Sequence, residues 1–140
     1  MVDSLSFAAC QPPRDEAAGV LSADDARLLT EVGFLAAASG DVARAERIFN
    51  GLARLRPGRA YPSIGLAVAW MNAGRAADAV VLLEKAQATD PEERATLAAW
   101  RGFALQLAGR TSESRRVLDT LATQDGDAGR LARGLLGLGK

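Results

Sequence analysis

The sequence contains no histidine and a single cysteine, Cys10, among its 140 residues. Histidine is the commonest general base and a frequent metal ligand, so its absence argues against most acid–base catalysis and against the usual zinc spacings. One cysteine cannot form an internal disulfide, which favours a reducing compartment and predicts a cytoplasmic protein. Aromatic residues make up only 5% of the chain, and β-branched residues are also scarce. This bias favours helix over strand.

Charge of one sign is also lacking, because 17 Lys and Arg balance 17 Asp and Glu. A neutral chain provides little of the field that attracts nucleic acid, so we expect no nucleic-acid partner. No run approaches the roughly 20 apolar residues of a membrane-spanning helix, so we expect no membrane insertion.

One stretch is rich in arginine: Arg44, Arg47, Arg54, Arg56 and Arg59. We expect it to form a solvated outer face; docking of an acidic partner is the alternative.

Two acidic pairs, Asp24–Asp25 and Glu92–Glu93, are the nearest approach to a catalytic arrangement. Both fall in the first turn of a predicted helix, where carboxylates complement the helix dipole. No glycine motif of the phosphate- or dinucleotide-binding type is present. We therefore expect no catalytic residue, no metal site and no cofactor, and a protein that is not an enzyme.

Three segments repeat one pattern around a glycine, at Gly40, Gly74 and Gly109, a spacing of 34 and then 35 residues. A small residue lies seven positions before each glycine and another five positions after it, and a large apolar residue lies nine positions after it. In chain order these are Gly33, Ala45 and Phe49; Ala67, Ala79 and Leu83; and Gly102, Ser114 and Leu118. Proline follows the first two glycines by seventeen positions, at Pro57 and Pro91, and Gly126 takes that place in the third copy.

The physical meaning of the pattern is a helix, a tight turn and a second helix. Glycine suits the position that ends the first helix, because the backbone there takes a left-handed conformation. Small residues let two antiparallel helices approach closely, and the large residues fill the seam between them. Asp90-Pro91-Glu92-Glu93 reads as a helix start, with an N-cap, a proline at N1 and an acidic N3 residue.

The resulting map is all-helical, and it divides the chain into an arm and one domain. Helices are predicted near 23–39, 42–55, 60–73, 76–88, 92–108, 111–123 and 127–138. Residues 1–21 are predicted to be a flexible arm, or alternatively a ligand-like segment that folds back. Residues 22–140 form a single domain with repeats at about 26–59, 60–94 and 95–126. The final helix, with Leu131, Leu135, Leu136 and Leu138, would cap the third repeat.

A period of 34 residues with this small, large and proline spacing resembles the tetratricopeptide repeat. Counted from Ala26, the family's small, small, large and proline positions are matched by Gly33, Ala45, Phe49 and Pro57. The second copy matches them equally, whereas the third has serine at one small position and lacks the proline. The tryptophan that the family favours at its fourth position is absent throughout. The resemblance covers about residues 26–126 and implies an α-solenoid of three helix–turn–helix repeats with a C-terminal capping helix.

Stacked helix pairs curve, and the first helix of each pair lines the concave side. Helical spacing then selects the side chains that face inward. We call the resulting set the inner wall; it comprises Thr30, Phe34, Tyr61, Ile64, Val68, Met71, Phe103 and Leu107. Ala37 and Ala99 share the wall, with Asn72 and Gln106 as its polar members. Alternatively, some of these residues belong to the core, or are covered by the arm or by a second copy.

The inner wall is apolar, which indicates the kind of partner. Tetratricopeptide domains that clamp a C-terminal carboxylate present basic and amide side chains where this chain has Thr30, Phe34, Ile64 and Val68, so we reject that function. An apolar groove suits an amphipathic helix of another protein.

The chain is also similar in size and layout to the small type III secretion chaperones of the needle-subunit type. The resemblance includes Leu28–Gly33 and the tail from Leu121 to Asp125. It implies a chaperone that keeps a self-assembling secreted subunit monomeric, with a second small co-chaperone as a further partner. The alternative is a general tetratricopeptide adaptor or assembly factor, acting either alone or as a homodimer.

Overall fold

The computed structural model describes residues 22–137, and these contain seven helices and no strand. The helices are α1 (Ala23–Ala38), α2 (Val42–Leu55), α3 (Tyr61–Asn72), α4 (Ala76–Lys85), α5 (Pro91–Leu107), α6 (Thr111–Ala122) and α7 (Asp127–Leu135). The predicted arm, Cys10 and Leu138 lie outside the described residues. None of the helices between residues 22 and 137 has the length and apolar character needed to cross a membrane.

One tight turn joins the two helices of each pair, and a repeated glycine lies in each of the three turns. Gly40, Gly74 and Gly109 have φ angles of 72°, 79° and 83°, a region that favours glycine. The amide of the residue after each glycine donates to the carbonyl five residues earlier, at 2.9, 2.8 and 2.9 Å. This is the hydrogen bond of a Schellman C-cap, so each glycine ends a helix and reverses the chain.

The pairs α1–α2, α3–α4 and α5–α6 stack in sequence, and α7 packs against both α5 and α6. Three apolar clusters form the core between them. Ala128 and Ala132 of α7 join the last cluster, which closes the C-terminal end of the stack. The predicted all-α solenoid of three helix–turn–helix repeats with a C-terminal cap is therefore confirmed.

A close contact among three helices centres on Phe49 of α2, whose side chain is almost fully buried. A Cβ on Gly33 of α1 would lie 2.8 Å from the Cζ of Phe49, and a Cβ on Gly65 of α3 would overlap the same ring. Phe49 thus occupies space that two glycines leave open on the helices of two repeats. In the third repeat, Leu118 lies over Gly102, where a Cβ would stand 2.5 Å from its Cδ2.

The junction between the second and third repeats differs from the predicted map. Helix α4 ends at Lys85 rather than near residue 88, because Ala86 takes an extended conformation with φ −70° and ψ 146°. Helix α5 begins at Pro91, where the Asp90 side chain accepts a hydrogen bond from the amide of Glu92. The capped start of α5 is the helix start that the sequence predicts, within one residue.

Glu93 connects this junction to the one before it. Its Oε1 accepts a hydrogen bond of 2.7 Å from the amide of Ala60, the residue that precedes α3. Its Oε2 lies 3.0 Å from the Nε of Arg59. Because no side chain of the α3 segment caps that helix, a carboxylate from the following repeat supplies the missing acceptor.

Replacing Gly65 with alanine should destabilise the fold, because the added Cβ overlaps the Phe49 ring. We expect the free energy of unfolding to fall by about 1–3 kcal/mol, as is typical of overpacking. Gly51→Ala is the matched control: a Cβ there meets nothing within 4 Å, so improved helix propensity should stabilise the protein by about 0.5–1 kcal/mol. Urea denaturation followed by circular dichroism measures both values. Equal effects of the two substitutions would contradict the close contact.

Candidate functional site

The inner wall is carried by α1, α3 and α5, the first helices of the three pairs. Phe34, Val68 and Phe103 hold the same register, six residues before the glycine that ends each helix, and all three are half-buried. Each is therefore partly covered by neighbouring residues and retains accessible surface. They form an apolar row across three neighbouring helices.

Core contacts fix Phe34 and Val68 in place, whereas Phe103 packs on a residue of its own helix. Phe34 packs edge to face on Phe49, with ring centroids 5.0 Å apart and an interplanar angle of 69°. Val68 contacts the two clusters on either side of α3. Phe103 packs edge to face on Trp100 at 6.0 Å. Fixed side chains lose little conformational entropy when a partner binds, which favours a binding surface.

The other members of the predicted wall differ in how much surface they expose. Ile64 is only 9% exposed and belongs to the core, as do Ala37 and Ala99, so they offer a partner little surface. Leu107 at the end of α5 is 53% exposed. Tyr61 and Met71 are half-buried beside the core.

Two polar side chains of the wall, Thr30 and Asn72, already form hydrogen bonds with backbone carbonyls. The Thr30 hydroxyl donates to the carbonyl of Ala26 at 2.7 Å, and the Asn72 side-chain amide donates to the carbonyl of Ala37 at 2.9 Å. The second bond ties the end of α3 to the end of α1. The guanidinium of Arg59 lies over the Tyr61 ring, 5.5 Å from its centroid. The wall thus presents mainly apolar atoms.

A second apolar surface, which the sequence analysis missed, lies on α1. We call it the end face; it comprises Leu28, Leu29, Val32 and Leu35, of which Leu28 is 60% and Leu35 is 71% exposed. The equivalent positions of α3 include Pro62, Leu66 and Ala69, all buried. The second repeat buries this face against the first, whereas no repeat among the described residues precedes α1. The shared register would have identified it.

Ion pairs mark the start of each second helix and lie at the surface. They join Arg44 to Asp41 at 3.6 Å, Arg75 to Asp78 at 2.8 Å and Arg110 to Glu113 at 2.7 Å. The hydrogen bonds from Arg110 lower the pKa of the Glu113 carboxyl. These pairs repeat with the fold and serve as helix-start contacts.

Within residues 22–137, no three His, Cys, Asp or Glu side chains come together as a metal ion would require. Of the two acidic pairs, Glu93 caps α3 as described above. Asp24 forms a surface ion pair with Arg27 at 3.2 Å.

Residues 36–100 match the family model of the tetratricopeptide repeat. The matched stretch runs from the end of α1 to the middle of α5. No curated protein and no solved structure matches the chain. The family match and the all-helical stack together fit a tetratricopeptide repeat protein, and domains of this kind generally mediate protein–protein interaction.

Alanine substitutions should separate the wall residues that stabilise the fold from those that are accessible. Phe34→Ala should lower the free energy of unfolding by about 2 kcal/mol, because its ring packs on Phe49. Leu107→Ala should change it by less than about 0.5 kcal/mol, because most surface substitutions do. Urea denaturation of both variants measures the difference. A loss at Leu107 as large as that at Phe34 would contradict the described exposure.

Proposed function

We propose that the protein is a non-catalytic binding protein whose inner wall holds an amphipathic helix of another protein. The proposal rests on one observation, the apolar row of Phe34, Val68 and Phe103 across three stacked helices. Exposed Leu107 extends that row along α5. A helix that presents apolar residues at i, i+3 or i+4, and i+7 has the pattern that such a surface takes.

Apolar contacts with the inner wall can supply the free energy of binding. Phe103 and Leu107 are four residues apart, which separates them by about 6 Å along α5. Each large apolar side chain that a partner buries between such residues contributes about 1.5–3 kcal/mol before the cost of ordering. Three or four such contacts are enough for a stable complex. Because Phe34 and Val68 are already fixed by their core contacts, much of the ordering cost falls on the partner.

The narrower form of the proposal is a type III secretion chaperone that keeps a self-assembling subunit monomeric in the cytoplasm before export. The support is the resemblance in size and layout to the needle-subunit chaperones, together with the apolar character of the wall. The mechanism is stoichiometric: an apolar face that occupies the wall cannot also contact another subunit. A second small co-chaperone is a further partner on this proposal.

The alternative is a general adaptor or assembly factor that forms a homodimer. The end face of α1 favours it, because Leu28 and Leu35 expose a large apolar area. The outer side of α7 at the opposite end carries Arg130, paired with Asp127 at 2.8 Å. A symmetric contact between two end faces therefore matches apolar surface better than a head-to-tail contact does.

Substitution of the exposed part of the wall should remove binding without unfolding the protein. Leu107→Glu is expected to weaken binding of a fluorescent amphipathic helix with leucines at i, i+4 and i+7 at least about tenfold, because it places a charge in the contact. Fluorescence anisotropy gives the dissociation constant, and circular dichroism checks the fold. Val81→Glu is the matched control, since Val81 lies on α4 and is 47% exposed. Unchanged binding by Leu107→Glu would rule out this wall as the site.

The secretion proposal needs a second measurement, which is co-expression with small helical subunits encoded by neighbouring genes. With the wild-type chaperone, light scattering should show a monomeric subunit in a one-to-one complex. With Leu107→Glu, the subunit should polymerise. If no neighbouring gene encodes a secretion component, the secretion role is wrong, and the anisotropy experiment still decides the general binding role.

The homodimer predicts that Leu35→Glu makes the protein monomeric. A symmetric contact would bury the introduced charge once in each copy, so two carboxylates would lose their water. Size-exclusion chromatography with light scattering should give twice the chain mass for the wild type and the single mass for the variant. A wild-type protein that is monomeric at high concentration would contradict the homodimer.

A further inference from the structure

A cleft with a volume of about 370 Å³ lies between the end of α4 and the side of α5. Its floor is apolar and includes Leu83, Ala86 and Leu97, while Arg94 and Arg101 stand at its edge. Pockets that bind small molecules have volumes of about 300–1,000 Å³ and combine an apolar lining with a few polar groups. The cleft falls within that range and has that composition.

The cleft exists because one leucine of the repeat pattern is missing. Twelve residues after the turn glycine, the first and third repeats carry Leu52 and Leu121, which are 1% and 5% exposed. The second repeat carries Ala86 at that position and ends its helix at Lys85. The space that a leucine fills in the other two repeats is therefore open here.

The cleft lies on the opposite side of α5 from the inner wall. Arg94, Ala98 and Arg101 line the cleft, whereas Phe103 and Leu107 belong to the wall. With about 100° of rotation per residue, the centres of the two sets are about half a turn apart. A ligand in the cleft can thus bind while the wall is occupied.

The charge of the cleft is positive on balance. The Nη1 of Arg94 donates to the carbonyls of Ala88 and Thr89, at 3.2 and 2.8 Å. These two hydrogen bonds fix the position of the guanidinium. The lining of this cleft contains one carboxylate, that of Glu84, and two arginines. Among the carboxylates of residues 22–137, none forms an ion pair with Arg94 or Arg101.

A neighbouring cleft of about 310 Å³ continues this surface. It shares Ala98 and Arg101 with the first and adds Arg116 and Val117 from α6. The two clefts together form a groove that follows α5 between α4 and α6, with Arg101 in the middle. Such a groove suits an extended segment better than a compact molecule.

We propose that this groove is a second binding site, for an acidic peptide segment that carries one branched aliphatic residue. The aliphatic side chain occupies the space next to Ala86, in place of the missing leucine. Carboxylates on either side of it pair with Arg94 and Arg101, whose guanidinium groups are suited to bidentate carboxylate contacts. The site is independent of the inner wall and gives the protein a second partner.

The test uses a fluorescein-labelled peptide, acetyl-Asp-Glu-Leu-Glu-Asp, and the full-length chain. Wild-type protein should bind it saturably, and a peptide with alanine in place of leucine should bind at least about tenfold more weakly. Ala86→Leu should reduce binding about tenfold or more by filling the space, and it restores the residue that the other two repeats carry. Arg101→Gln should weaken binding and flatten its dependence on salt.

Matched controls separate the groove from general effects. Ala53→Leu makes the same change at an exposed position of α2, and Arg47→Gln removes an exposed charge from the same helix; both should bind as the wild type does. Leu107→Glu should also bind the acidic peptide normally, which distinguishes this site from the inner wall. No binding by the wild type, or equal binding by Ala86→Leu with an intact circular dichroism spectrum, would overturn the proposal. Equal affinity for the leucine and alanine peptides would overturn it as well.

Discussion

The packing of the Phe49 ring against two glycines is the contact on which the arrangement of the first two repeats depends. Gly33 lies on α1 and Gly65 on α3, so one side chain of α2 sets the approach of helices from both repeats. Phe34 packs on the same ring. The position of Phe34 on the inner wall is thus a consequence of core packing, because close-packed protein interiors leave side chains little freedom.

The sequence predicted the repeated elements better than it predicted their differences. The three turn glycines, the capped start at Asp90 and the small-residue contacts follow from local rules, and the structure has them all. Gly65 has no counterpart in the other repeats, and its role appears only when Phe49 is placed against it. The bond from Ala60 to Glu93 joins residues that are 33 positions apart, and no local pattern predicts such a contact.

The inner wall was also predicted only in part from the sequence. Helical periodicity selects the side of each helix that faces inward, but it does not determine how deeply a side chain is covered by its neighbours. Ile64 and Leu107 were both predicted to line the wall, and one lies in the core while the other is 53% exposed. The end face of α1 required a different comparison, between equivalent positions of successive repeats. Register within a repeat array therefore carries information that periodicity within one helix does not.

The central claim is that a partner helix contacts the inner wall, and methyl-resolved NMR spectroscopy tests it most directly. The amphipathic helix peptide should shift the methyl resonances of Val68, Met71 and Leu107, in proportion to its occupancy. The methyl groups of Leu35 on the end face and Val81 on α4 should stay unchanged. Shifts confined to Leu35 or Val81, with Val68, Met71 and Leu107 unaffected, would contradict the account.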